Sequence, residues 1–314
     1  MTQAVTAQPS RRPLLTLSRR RTVTGLLFAS PWIVGFVVFT LYPMAASLYY
    51  SLTDYALIHT PTWVGLSNYG RLLGDPDFWT SLGNTLYMVI FDVPLYTLLA
   101  FLVALALNQP VRGLPFFRTM FMLPWVMPVA AAATLFLFIF NPDYGLLNNA
   151  LDAVGIAGPT WLDDAGWAKP SLILMDLWTT GFGAVLFLAA MQGIPRELYE
   201  AASLDGAGPL ARTLRITVPM VSPVTLYTLI TGLIAIFGYF TQAYVFTAAS
   251  GSNTSGPDNS LLFYMVYLYN TAFQYLQLGY ASALAWVLFV LTLLASLLLL
   301  WSSRWWAYYE GATR

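Results

Sequence analysis

Apolar and polar residues follow one another along this chain in blocks much longer than a soluble fold requires. Six blocks, at roughly residues 24–50, 83–108, 116–140, 168–192, 218–246 and 279–303, are almost uncharged. A helix that crosses a bilayer needs roughly 20 mostly apolar residues, so each block predicts a transmembrane helix. A seventh block, 261–278, is apolar by count, but Tyr264, Tyr267, Tyr269, Asn270, Gln274, Tyr275 and Gln277 suit an interface better than lipid. It predicts a helix lying at the outer surface. The polar connection 193–219 carries a pattern of its own. Pro195 can open a helix, with Glu197 and Glu200 near its positive end, and Asp205-Gly206 can stop it. Pro209 can start a second helix, and Pro219 stands where the fifth apolar block begins. Two short helices joined at a bend are expected there, a rigid knob at the membrane face that calls for a socket on a partner protein.

Composition agrees with a membrane protein. The chain is 58% hydrophobic and 9% charged, where a soluble domain carries about a quarter charged residues. The position of the charges gives an orientation. With the amino terminus inside, the inner segments hold Arg11, Arg12, Arg19, Arg20, Arg21, Arg112, Arg118, Arg196, Arg212, Arg215, Arg304 and Arg314, and the outer ones only Arg71 and Lys169. That bias puts both termini in the cytoplasm and fits an even number of spans. The first apolar block exceeds a typical signal-peptide core and reads as an uncleaved span. The organisation expected is a basic cytoplasmic tail (1–23), one transmembrane domain (24–305) with the cytoplasmic loop 193–219, and a cytoplasmic C-terminal tail (306–314).

Several chemistries are excluded or left without support. Zero cysteines rule out disulfides and thiol catalysis, and His59 alone builds neither a metal site nor a triad. A net charge of zero offers no basic surface for nucleic acid. The only lysine, Lys169, is followed by proline and has no glycine-rich loop before it, so the chain has no phosphate-binding P-loop. No cofactor bound by this chain is expected.

The run Glu200-Ala201-Ala202, with Gly206, Ile216 and Pro219 at fixed distances behind it, resembles the "EAA" loop of ATP-binding-cassette importer permeases. Asp205 and Ala207 match its sugar-importer version, which often has an aromatic residue where this chain has Thr213. Further fragments occur in the order found in the carbohydrate-uptake (maltose-type and glycerol-phosphate-type) subfamily. Among them are Gly65-Leu66-Ser67-Asn68-Tyr69, Asn141-Pro142-Asp143-Tyr144-Gly145 and Gly279-Tyr280-Ala281-Ser282-Ala283. The resemblance covers essentially the whole chain. It implies an all-α polytopic membrane protein with the six-helix type I importer permease fold, in a bacterial or archaeal cytoplasmic membrane. It also implies a second homologous permease, two cytoplasmic ATPase subunits that hold ATP and Mg, an extracytoplasmic solute-binding protein and a carbohydrate cargo. Glu200, Ala201, Ala202, Asp205, Gly206, Ala207, Ile216 and Pro219 would then form the ATPase-coupling loop.

Two acids, Asp92 and Asp176, fall inside expected spans, where a carboxylate is costly enough that a function is the default reading and a structural hydrogen bond the alternative. Sugars are held by aromatic faces together with amides and carboxylates. Tyr239, Gln242 and Tyr244 lead the candidates for the substrate path, followed by Trp178, Asp176 and Asn84. A secondary transporter in which Asp92 or Asp176 carries a proton is the rival reading. A membrane-embedded transferase is a third, for which Asp163-Asp164 is the only adjacent acidic pair in the outer loops.

Overall fold

The computed structural model describes residues 17–56, 59–110, 112–250 and 255–308. Residues 1–16 of the expected basic tail, 251–254 of an outer loop and 309–314 of the C-terminal tail lie outside the described residues. The chain forms two compact units that divide between Tyr50 and Ser51, where the sequence suggested one domain. In the first unit α1 (Leu17–Phe36), a π-turn (Val37–Leu41) and α2 (Tyr42–Ser51) continue one another as a helix long and apolar enough to span a bilayer. None of the side chains in its most apolar window is buried. Pro31 cannot donate to the Leu27 carbonyl, and the Ser30 hydroxyl does so instead at 2.8 Å.

The second unit begins with a short antiparallel ladder, β1 (Thr53–Asp54) against β2 (Thr62–Trp63). Helices follow in the order α3 (Ser67–Leu73), α4 (Pro76–Leu107), α5 (Leu114–Val126), α6 (Val129–Ile139), α7 (Leu146–Asp152), α8 (Ala165–Trp178) and α9 (Gly181–Gln192). Then come α10 (Arg196–Leu204), α11 (Pro209–Arg212), a π-turn (Thr213–Thr217), α12 (Val218–Phe237), α13 (Thr241–Ser250), α14 (Tyr264–Tyr269), a π-turn (Asn270–Gln274) and α15 (Leu278–Trp306). Across the described residues four helices meet the length and apolarity of a span, and two bent pairs complete six if each pair is one span.

α4 is the spine. Its N-cap Asp75 accepts from the Asp77 amide at 3.0 Å and Pro76 occupies the first turn, so orphan donors at that end are reduced. Along its length α4 packs on α8, α9, α12 and α14. Where it meets α9, small residues allow close approach: Ala100 and Ala104 are fully buried, and Gly183 faces Ala100 and Tyr96.

Three of the expected spans are interrupted, which hydropathy alone does not reveal. α5 and α6 meet at 98° because Met127, extended at φ −67° and ψ 138°, precedes Pro128. A residue before proline is pushed out of the helical region. α8 and α9 meet at 49° around Thr179-Thr180, and the bend brings Gly181 against the Phe121 carbonyl, where no Cβ would fit. The fifth span breaks at Gly238-Tyr239-Phe240, between α12 and α13.

The seventh block packs closely on the rest of the unit. Leu261, Leu262, Phe263, Tyr264, Val266 and Tyr267 belong to the main core, while Phe273 and Tyr275 are exposed. Several polar groups in and around it find partners within the protein. Asn84 donates to the Asn259 and Leu262 carbonyls at 2.9 and 3.0 Å, the Tyr264 amide donates to Thr85 Oγ1 at 2.9 Å, and the Tyr264 hydroxyl to the Leu284 carbonyl at 2.9 Å.

Candidate functional site

The loop around Glu200 is built by helix-ending chemistry. α10 begins at Arg196 with Pro195 as N-cap, one residue later than expected. It ends at Asp205, and Gly206 takes the left-handed conformation at φ +78°. The Ala207 amide returns to the Ala202 carbonyl at 2.9 Å and the Gly206 amide to the Ser203 carbonyl at 3.1 Å. This pair of bonds is the Schellman motif, which satisfies two carbonyls that a helix end otherwise leaves bare. The reverse bend is therefore fixed by backbone bonding. Glu200, Ala201, Ser203, Leu204, Asp205 and Gly206 are exposed, and Leu204 is 90% exposed.

The expected second short helix does not stand alone. Pro209 opens α11, and α11 continues through the π-turn and α12 as part of a 41-residue segment, Pro209–Ala249. Tyr199 ties α10 to this rod through a 2.9 Å hydroxyl pair with Thr217, and the Arg212 guanidinium donates to Ser203 Oγ at 3.0 Å. Ile216 packs beside a buried cluster of Ala100, Ala104, Phe187, Met191 and Val221, while Pro219 lies in the first turn of α12. The loop is thus locked to the rod from which the fifth span is made.

Farther along that rod a cavity of about 400 Å³ opens where the helices break. Trp125 and Met127 come from the α5–α6 bend, Thr179 from the α8–α9 bend, Tyr239 from the gap after α12 and Gln242 from the first turn of α13; Asp92 and Asp176 face the same space. Interrupted helices at membrane depth are tolerated where they line a cavity, because freed backbone groups find water or ligand there. Asp92 is 4% exposed and its Oδ1 has no hydrogen-bond partner, as is true of Asp176 Oδ2. Gln242 makes a long 3.5 Å bond to Asp176 Oδ1. The Tyr239 hydroxyl faces the Asp176 carboxyl without closing a hydrogen bond. Trp125 and Phe182 stack face to face at 4.5 Å on the same wall.

Asp176, Tyr239 and Gln242 are therefore brought together, with Asp92 added. Asn84, Trp178 and Tyr244 do not line this space. Asn84 is committed to the Asn259–Leu262 segment and accepts from Lys169 Nζ at 3.0 Å. Trp178 lies against Phe136 at 5.4 Å, and Tyr244 stacks with Phe240 and Tyr269. Sequence reasoning missed Trp125, Phe182, Tyr96 and Tyr227 on the wall. Pro128, just after Met127, was the available signal for the first of them.

A second polar cluster sits at the α4 N-terminus. Tyr267 and Tyr280 both donate to Asp75 Oδ2, the latter at 2.7 Å, and the Arg71 guanidinium lies 4.3 Å over the Tyr280 ring. Burial pushes the Asp75 carboxyl up, but the two hydroxyls and the Asp77 and Phe78 amides outweigh it and hold it below the ordinary value. Asp164, expected only as an acidic pair member, caps α8 by accepting from the Gly166 amide at 2.6 Å. Among the described residues no group of acids, histidines or cysteines is placed to hold a metal ion.

The family described as "Binding-protein-dependent transport system inner membrane component" matches residues 96–308. The probable ABC transporter permease protein YesP of Bacillus subtilis (strain 168) is 38% identical, over 93% of this chain and 94% of its own length. The lactose transport system permease protein LacF of Rhizobium radiobacter is 37% identical, over 92% of this chain and 97% of its own. The trehalose/maltose transport system permease protein MalF of Thermococcus litoralis is 33% identical, over 88% and 92%. Among solved structures, a chain of a bacterial alginate ABC transporter in complex with alginate pentasaccharide-bound periplasmic protein matches with a TM-score of 0.79. It covers 92% of this chain and 97% of that one at 23% identity, a likeness of fold.

Proposed function

Because the chain belongs to the family of binding-protein-dependent transport system inner membrane components, we propose that it is a permease subunit of an ATP-driven carbohydrate importer. It forms the translocation path with a second homologous permease, receives cargo from an extracytoplasmic binding protein, and is driven by two cytoplasmic ATPase subunits that hold ATP and Mg. This subunit performs no catalysis. The names of relatives that carry lactose and trehalose/maltose support a carbohydrate cargo. Both termini and the Glu200 loop lie on the ATPase side, as the arginine distribution favours.

The observation that carries this reading is the helical run from Pro209 through α12 to Phe237, which starts beside the exposed loop and ends at the cavity wall next to Tyr239. From Ile216 to Phe237 the helical run rises roughly 32 Å at 1.5 Å per residue. Closure of the ATPases on ATP would displace α10, and the Tyr199–Thr217 pair passes that displacement to the rod. The rod in turn moves one wall of the cavity. Gly206 holds the bend, and Ala201 and Ala202 leave room for close approach.

Purification of the tagged chain from its native membrane, with mass spectrometry of retained proteins and uptake assays in proteoliposomes, tests the proposal. An ATPase, a second permease and ATP-dependent saccharide uptake are expected. A chain that comes out alone and carries solute by itself, with uptake stopped by an uncoupler while ATP stays high, would overturn it. Asp92 and Asp176 would then be proton carriers.

A further inference from the structure

Resting on the importer reading, we infer that this chain's cavity is built to accept a hydrogen-bond-donating, non-anionic saccharide, with Asp92, Asp176 and Tyr239 as specificity-determining residues. The cavity's unused polar atoms are mostly acceptors. Asp92 Oδ1 and Asp176 Oδ2 are buried without partners, and the Tyr239 hydroxyl, on a side chain 5% exposed, is open on the same wall. Buried oxygens of this kind are strongly disfavoured unless something donates to them. On the described wall the donors near these oxygens are Gln242, by a long bond to Asp176 Oδ1, and the Tyr239 hydroxyl, which faces the Asp176 carboxyl.

No arginine, lysine or histidine lines the cavity among the described residues. Lys169, the chain's one lysine, is engaged elsewhere: its Nζ donates to Asn84 Oδ1 at 3.0 Å and stands 5.5 Å from the Tyr87 ring centre. A uronate, sulfate or phosphate entering this space would find carboxyls beside it and no cation to replace its lost hydration. A ring that presents hydroxyl or ammonium groups would instead fill the open acceptors. The stacked Trp125–Phe182 pair and Tyr227 supply apolar faces for the C–H side of such a ring.

The test uses the assembled importer in proteoliposomes and three disaccharide classes of matched size: neutral, amine-bearing and carboxylate-bearing. Uptake of the neutral or the amine-bearing class, with the carboxylate-bearing class excluded, is expected, and which of the two enters separates hydroxyl from ammonium as the donor. Asp92→Asn, Asp176→Asn and Tyr239→Phe should each raise the KM for the accepted class about tenfold, as loss of a hydrogen bond that leaves a buried polar group unpaired does. The two Asn variants should narrow the gap to the carboxylate class. Complex assembly on a sizing column separates misfolding from lost recognition, and Tyr239→Phe, which removes one oxygen, decides if an Asn variant misfolds. Preferred uptake of the carboxylate class, or a KM unmoved in all three variants, overturns the inference while leaving the importer standing. Absence of ATP-driven saccharide uptake strikes the importer reading itself.

Discussion

Gly206 occupies a conformation that a side chain disfavours, at φ +78°, with open space where a Cβ would go. Gly206→Ala should therefore fold and cost about 1 kcal/mol through backbone strain alone. Its expected signature is weaker ATPase stimulation by cargo with the complex still assembled; an unchanged stimulation would refute a role for the bend. Asn84 behaves in the opposite way. It supplies two donors to carbonyls 175 and 178 residues away and an acceptor to Lys169, so Asn84→Ala should lower stability by about 2–4 kcal/mol, read as a fall in melting temperature. Asp75 gives a pH test. Its folded pKa is depressed, so its contribution is complete above the ordinary carboxylate value near 3.9 and is lost as pH falls through the lower folded value. Wild type should lose more melting temperature than Asp75→Asn between about pH 6 and 3, and equal losses would exclude it. Gly206 and Pro209 were legible from sequence because their constraints are local. Asn84 was not, because nothing near it in the chain announces partners so distant.

At the scale of elements, the six apolar blocks were legible since span length is a property of hydrophobicity summed over a window. The breaks were not, because the same sum hides one kinked residue. Met127-Pro128 and Gly238 were visible, yet proline and glycine also occur in continuous membrane helices. The core contacts of block 261–278 were hidden for a related reason. Its tyrosines and amides are the composition of an interface, whereas in the fold Asp75, Thr85 and the Leu284 carbonyl receive or supply their hydrogen bonds. The bends are held by packing as well as by sequence. Gly181→Ala would drive a methyl group into the Phe121 carbonyl, and a cost of about 1–3 kcal/mol from overpacking follows. A variant that melts with the wild type would show that α5 and α9 separate freely.

For the whole molecule, two sites on one rod make location and motion a single question. The proposed orientation sets the Glu200 loop and the 153–156 turn on opposite sides of the membrane. The chain has no cysteine of its own, so Ser203→Cys and Val154→Cys, both at exposed positions, report their side without background. An impermeant thiol reagent should reach Cys at 154 in intact cells and Cys at 203 only after the membrane is opened. Labelling of both from one side would reverse the topology. The family and the membrane class were readable from the chain because motif and hydropathy are written in sequence order. The cavity was only half readable, since its walls come from helices far apart in sequence that meet where each is broken.

The chain also carries one natural reporter. Lys169 holds its only ε-amine, half-buried within the bundle and hydrogen-bonded to the same asparagine that secures the Asn259–Leu262 segment. An amine in that state reacts with acylating reagents only after the Lys169–Asn84 bond lets go. The rate at which this one side chain is acylated thus becomes a clock for how often that part of the protein opens, readable in the unmodified chain.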